Sequence, residues 1–349
     1  RDISTSGTGS IQLDGRAGPT GGGAHGVNIA TYELATTDGD IIIDGTGGTA
    51  ASGLNRGVML NGSPAEVRST GGGLIEINGL GRDVGLRDNE GVRIQGTGTI
   101  VSSNFGDINI DGIGGDGTGV GFNRGIFLNV GSSIESQNAN VILDGFAGNG
   151  GDGNIGVAMS APVTASGDIV VNGQGPASGG TTSDGVAINT TLTSNSGNIT
   201  INGTGGGSNT SSGVFVRTSA NINLLSGGLI SIIGTAGPGS IDSHGVRIDG
   251  AVSANPGSIE IIGSENGGVG TSGTTEGVFL EPAGSLTAVS GDITIRTTEP
   301  EFSGTSAISA VGGTLFVQPI DAFENFELDS TDIQAFADGF AQITIGRAD

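Results

Sequence analysis

Gly106-Asp107-Ile108-Asn109-Ile110-Asp111-Gly112 is written repeatedly along this chain. It returns as Gly39-Asp40-Ile41-Ile42-Ile43-Asp44-Gly45, as Gly167-Asp168-Ile169-Val170-Val171-Asn172-Gly173 and as Gly197-Asn198-Ile199-Thr200-Ile201-Asn202-Gly203. A looser copy is Gly291-Asp292-Ile293-Thr294-Ile295. Inside each copy apolar and polar residues alternate, which predicts a short half-buried strand. The Asx-Gly pair that follows predicts a turn, since Asx bonds its own backbone and glycine permits positive φ. A strand this short cannot stand alone, so the distance between its copies decides the architecture.

A second signature, Gly-Val-x-Ile/Leu, gives that distance. It appears as Gly57-Val58-Met59-Leu60, Gly91-Val92-Arg93-Ile94, Gly125-Ile126-Phe127-Leu128 and Gly213-Val214-Phe215-Val216, among nine copies whose glycines fall 28 to 34 residues apart. A weaker third signature, small-apolar-small, lies between the two, as in Ser133-Ile134-Glu135-Ser136 and Ala251-Val252-Ser253-Ala254. Glycine collects in the loops Thr46 to Asn55, Ile113 to Asn123, Phe146 to Ile155 and Ser264 to Thr275, which read as exposed connections.

Three strands per repeat of this length, without helical periodicity, predict one coil of a β-solenoid. Equivalent strands of successive coils then stack in parallel at roughly 4.8 Å. Val58, Val92, Ile126, Val157, Val186, Val214, Val246 and Val278 form one expected core column. Each gains roughly 1.5–3 kcal/mol by burial, but only when a neighbouring coil covers it. Parallel crossovers are nearly always right-handed, so the expected fold is an all-β, right-handed parallel β-helix of about ten coils of roughly 31 residues.

Two regions differ in character. Residues 1–296 carry the regular coils with glycine-rich loops. Residues 297–349 hold six of the twelve phenylalanines (Phe302, Phe316, Phe323, Phe326, Phe336 and Phe340) and read as atypical coils continuing the solenoid, a separate cap being the alternative. The chain opens and closes within the repeating pattern, as expected of a mature product or of an excised piece of something longer.

Glycine is 72 of 349 residues and aromatics only 4%. Such a composition suits disorder or a fibrous repeat, and the regular spacing of the apolar residues favours the repeat. Proline numbers 9 and glycine has no period of three, which excludes collagen. The net charge is −23, from 35 acidic residues and 12 arginines. A surface of that sign repels nucleic acid and anionic membranes and draws divalent cations. There is no cysteine, hence no disulfide framework or thiolate metal site. No apolar run approaches the roughly 18 residues of a membrane helix.

The most regular polar feature is the Asx-Gly column of Asp14, Asp44, Asn78, Asp111, Asp144, Asn172 and Asn202. Its plain reading is a stack of turns joined by side-chain amide ladders. The sharper reading is calcium, because Asp111 and Asp144 on adjacent coils repel unless neutralised and the loop acids Asp116 and Asp152 could complete an oxygen shell. No motif implies any other cofactor. The residue before each Gly-Val strand makes a second column: His25, Arg56, Glu90, Arg124, Ile155, Asp184, Ser212, His244 and Glu276. Arg56, Glu90 and Arg124 alternate in sign, and His244 faces Glu276, a pattern that specifies register rather than catalysis. The two histidines stand about seven coils apart, so no histidine triad or metal pair joins them. Stacked acids acting on or binding a glycan remain the competing functional reading.

With these signatures in view, the chain resembles the repeat regions of very large bacterial surface and secreted proteins of the filamentous-haemagglutinin-like, two-partner-secretion type. The stretch Asp338-Gly339-Phe340-Ala341-Gln342-Ile343-Thr344-Ile345-Gly346-Arg347 looks like repeats of giant cyanobacterial members. The resemblance implies export to the cell surface or beyond, a right-handed β-helix shaft and no catalytic residues. It adds an expected role, a non-enzymatic structural or adhesive module. The expected partners are other copies of the module, end to end or laterally, and cell-surface glycans, with neither nucleic acid nor membrane insertion.

Overall fold

A computed structural model describes residues 2–19, 23–49, 53–82, 87–117, 119, 121–178, 180–207, 210–238, 241–265, 275–303, 307–320 and 326–346. The chain winds as a parallel β-solenoid with three sheets of 11, 12 and 10 strands. Sheet A takes the small-apolar-small strands, such as Ser132–Ser136; sheet B the Gly-Asp-Ile strands, such as Ile108–Ile113; sheet C the Gly-Val strands, such as Ile126–Leu128. Each strand pairs in parallel with its equivalent one coil away, so that Ile108 lies between Ile75 and Val141. Register follows from the pleat, because a slip of one residue would turn the isoleucines to solvent. Ile108 and Ile110 point inward at 1% exposure or less, as does the whole expected column from Val58 to Val278.

The Asx-Gly pairs do not turn the chain. Strands run straight through them, as in Ile41–Thr46, Ile108–Ile113 and Val141–Phe146. None of Gly45, Gly79, Gly112, Gly145, Gly173 or Gly203 has positive φ. These glycines are inward positions where sheet B passes against the Gly-Val glycines of sheet C. A Cβ on Gly112 would stand 2.2 Å from the Gly125 carbonyl oxygen, and one on Gly145 2.3 Å from that of Gly156. Two glycine columns pack backbone against backbone there, and a missing side chain, not a special dihedral, is what the position requires.

The glycine-rich loops end in order rather than at the surface. Two residues before seven of the nine Gly-Val glycines stands a fully buried polar residue: Asn55, Asn89, Asn123, Asn154, Ser183, Ser211 and Ser243. Along this column the Asn55 N–H donates to Asn89 Oδ1, Asn89 to Asn123 and Asn123 to Asn154, and Ser183 and Ser211 continue it through Oγ acceptors. Buried polar groups are tolerated because each is paired. The residue just before is left-handed, with φ 61° at Leu54, 56° at Asp88, 64° at Phe122 and 57° at Thr182 and Thr210. Non-glycine residues held there cost about 1–2 kcal/mol each, offset by the ladder they position. Parts of these loops, including most of Ser264 to Thr275, lie outside the described residues.

At the far end, strands Pro300–Phe302, Ala307–Val311 and Thr314–Pro319 extend sheets C, A and B. A short helix, Ser330–Gln334, then stacks on Pro300–Phe302. Asp329 caps it, and Asp332 Oδ1 accepts the Phe302 N–H at 2.7 Å. Strand Gln342–Ile345 adds the last member of sheet B. Phe302 is fully buried, with the Phe336 ring 6.1 Å away, and Phe326 and Phe340 pack on the same core. Phe316 stands on the outer face of sheet B beside Thr294 and Thr344. Phe323 lies outside the described residues.

Candidate functional site

Two outward faces carry the polar chemistry. On sheet B the Asx column stacks in register, with Asp111 between Asn78 and Asp144. Amide ladders run along it: Asn78 Nδ2 donates to Asp44 and to Glu76, each at 2.9 Å, Asn172 Nδ2 donates to Asp144 at 2.5 Å, and Asn202 Nδ2 to Asn172 at 2.7 Å. Asp111 and Asp144 form an adjacent acidic pair without an amide between them, as do Asp14 and Asp44. Burial against the neighbouring coils, then the Asp144 and Glu76 charges, push the Asp111 carboxyl above the usual range. The loop acids stand elsewhere. Asp116 Oδ1 accepts from the Asn149 backbone at 2.6 Å and side chain at 3.0 Å, and Asp152 Oδ1 accepts the Thr181 N–H at 2.6 Å. Asp116 thus faces Asn149 and Asp152 faces Thr181, in separate ladders. Among the described residues no group of three or more His, Asp or Glu side chains is gathered as a metal-ligand set.

On sheet C the charge column is buried and paired as register devices are. Glu90, with no exposure, takes Arg56 from the preceding coil and Arg93 of its own coil at 2.8 Å. His244 Nδ1 lies 2.6 Å from Glu276 Oε2, both buried, although their angles do not suit a hydrogen bond. Arg124 departs from the expected alternation. Instead of reaching Glu90 it stacks over Phe127 at 4.1 Å and Phe122 at 4.7 Å. Burial holds its guanidinium below the usual arginine range. His25, at the other end, is lowered to about 4 by burial and by the Arg56 and Arg93 charges, so it is neutral at physiological pH.

The middle position of the Gly-Val signature supplies what sequence reading overlooked. Across the sheet it runs Asn28, Met59, Arg93, Phe127, Ala158, Ala187, Phe215, Arg247 and Phe279. Arg93 and Arg124 stack on Phe127, and Arg217 and Arg247 on Phe215, at 4.1 to 4.9 Å. Such contacts are each worth about 0.5–2 kcal/mol. Between the stacks, two alanines leave a depression of about 360 Å³ whose lining includes Arg124, Phe127, Ile155, Ala158, Asn189 and Arg217. Beside Arg217, at 3.5 Å, Asp184 is buried at 2% exposure and accepts the Ser212 N–H at 2.9 Å. Burial pushes its carboxyl up to about 6 against the opposing pull of Arg217 and of the Ser212 N–H. The two halves of this stack were readable as the variable letter of an aligned tetrad. Compared with protein-family models, with curated proteins and with solved structures, the chain matches none.

Proposed function

We propose that this chain is a structural and adhesive repeat module of an extracellular or cell-surface protein, working as a stiff spacer without catalysis. One observation carries the reading: three parallel sheets run in register from Ile3–Ser4 to Gln342–Ile345, a shaft of about 50 Å at 4.8 Å per coil. The Asx ladders of sheet B and the Arg56–Glu90 pair of sheet C support it, since they tie one coil to the next. A continuous parallel ladder resists bending because any kink breaks bonds in three sheets together. Self-association through coil stacking and contact with surface glycans are the partners this role calls for.

Labelling intact producing cells with an antibody to the chain, and imaging the filaments they shed, tests the role. Surface label and a 4.8 Å layer line along the filament axis are the expected results. Label confined to the cell interior would overturn it, as would reducing ends released from polysaccharide by the purified chain. The same reading lets calcium stiffen the shaft at Asp111 and Asp144. A higher melting temperature in calcium than in chelator, lost in Asp111→Asn, is then expected; equal melting in both dismisses the ion.

A further inference from the structure

We propose that the notch between Arg124 and Arg217 on the outer face of sheet C binds an acidic pyranose, a sugar ring bearing a carboxylate. Five of the twelve arginines (Arg56, Arg93, Arg124, Arg217 and Arg247) gather on this one face of a chain whose net charge is −23. Four of them meet a carboxylate. Arg124 is the exception: among the described residues it has no ion-pair partner, and its Nε is buried without a hydrogen-bond acceptor. Its buried Nε lacks an acceptor while the Glu90 and Asp88 charges act on it from beyond ion-pair distance, and a ligand carboxylate entering the notch supplies the missing acceptor.

The geometry selects a ring rather than a simple anion. Register places Phe127 and Phe215 three coils apart, about 14 Å between their Cα atoms, with Ala158 and Ala187 between them. Ile155, Ala158 and Ala187, with Phe127 against them, form a small apolar cluster outside the main core. That floor is apolar and suits the C–H face of a pyranose. Ser160 and Asn189 line the same notch and offer polar groups to hydroxyls. Each guanidinium is fixed by stacking on its own phenylalanine, so little side-chain freedom is lost when an anion binds. An adjoining depression of about 370 Å³ shares Asn189 and Arg217 and adds Thr218 and Ser219, which gives room for a second sugar along an oligosaccharide. An acidic peptide satisfies the arginines but not the floor.

The proposal gives the adhesive half of the role above a ligand, yet it is read on the purified chain, so its outcome is separate from that of the surface-labelling experiment. Calorimetric titration at low salt with galacturonate, glucuronate and mannuronate trisaccharides, their methyl esters and hexaglutamate decides it. At least one uronate is expected to bind, its neutral ester about tenfold or more weakly, and hexaglutamate without measurable heat. Arg217→Gln, at a side chain 37% exposed, is expected to keep the fold and lower affinity about tenfold or more. Ala187→Leu fills the floor, leaves both arginines in place and is expected to abolish binding. The proposal is overturned by binding to none of the three uronates, by equal affinity for the ester, by tighter binding of hexaglutamate, or by full affinity in either folded variant.

Discussion

Gly145→Ala and Gly72→Ala are the same chemical change, and the fold assigns them opposite signs. A Cβ on Gly145 would stand 2.3 Å from the Gly156 carbonyl oxygen and 2.6 Å from Val157 Cγ2, whereas ordinary contact begins near 3.4 Å. Sheets B and C must therefore part locally by about 1 Å. The obstructing carbonyl is also a ladder acceptor, taking the Ile126 N–H at 2.9 Å, so moving it away breaks that bond. Overpacking at about 1–3 kcal/mol and a lost backbone hydrogen bond at about 1 kcal/mol give a destabilisation of about 2–4 kcal/mol. Gly72 has nothing within 4 Å of a built Cβ and no left-handed φ. Alanine there costs nothing in the fold and trims the unfolded ensemble, which stabilises by about 0.4–1 kcal/mol. Urea unfolding followed by far-ultraviolet circular dichroism reads the difference. Hydrogen exchange places it, because coils contact only their neighbours and protection should fall over residues 126–157 while distant coils keep theirs. If Gly145→Ala melts within 0.5 kcal/mol of the parent, or Gly72→Ala is equally damaging, the close-approach account of the glycine columns is wrong.

The buried charges of sheet C give two further expectations. Glu90→Gln leaves Arg56 and Arg93 without their anion in a site where Arg56 is only 8% exposed, and is expected to cost about 3–5 kcal/mol in the same unfolding assay; a loss under 1 kcal/mol would show that the pair does not hold register. Asp184 is raised from its ordinary 3.8 to about 6, so the folded state binds the proton more tightly and stability falls as pH climbs through that interval. The ionised carboxylate then costs the fold about 3 kcal/mol at neutral pH. Asp184→Asn keeps an acceptor for Ser212 and should gain up to that amount at pH 7.5, the advantage vanishing near pH 4. A variant that is less stable at pH 7.5 than at pH 4, relative to the parent, contradicts the burial argument.

Local pattern carried much of the architecture on its own. Alternation in Gly106 to Gly112 assigned Ile108 and Ile110 to the core, and the spacing of Gly57, Gly91 and Gly125 set one coil per repeat, because a parallel stack demands the same letter at the same place in every coil. The paired charges at Arg56 and Glu90, and at His244 and Glu276, were legible for the same reason. A column is a one-dimensional object, and its neighbours can be read from an alignment of the repeats.

Tertiary structure decided whatever depends on contact between different columns. Asp111-Gly112 reads locally as a turn, yet the strand continues through it, because Gly112 is pressed against the Gly125 backbone of another sheet and no local rule reports that distance. Asp116 and Asp152 look like companions of Asp111 and Asp144 in the chain, but loop geometry sends them to Asn149 and Thr181. Arg124 looks like the next charge after Glu90, and the side chain turns instead onto Phe127, three residues further along the chain. The notch between Arg124 and Arg217 belongs to neither repeat alone. It exists because Ala158 and Ala187 happen to be small on two successive coils, and only the folded stack brings the arginines on either side of them to face one another.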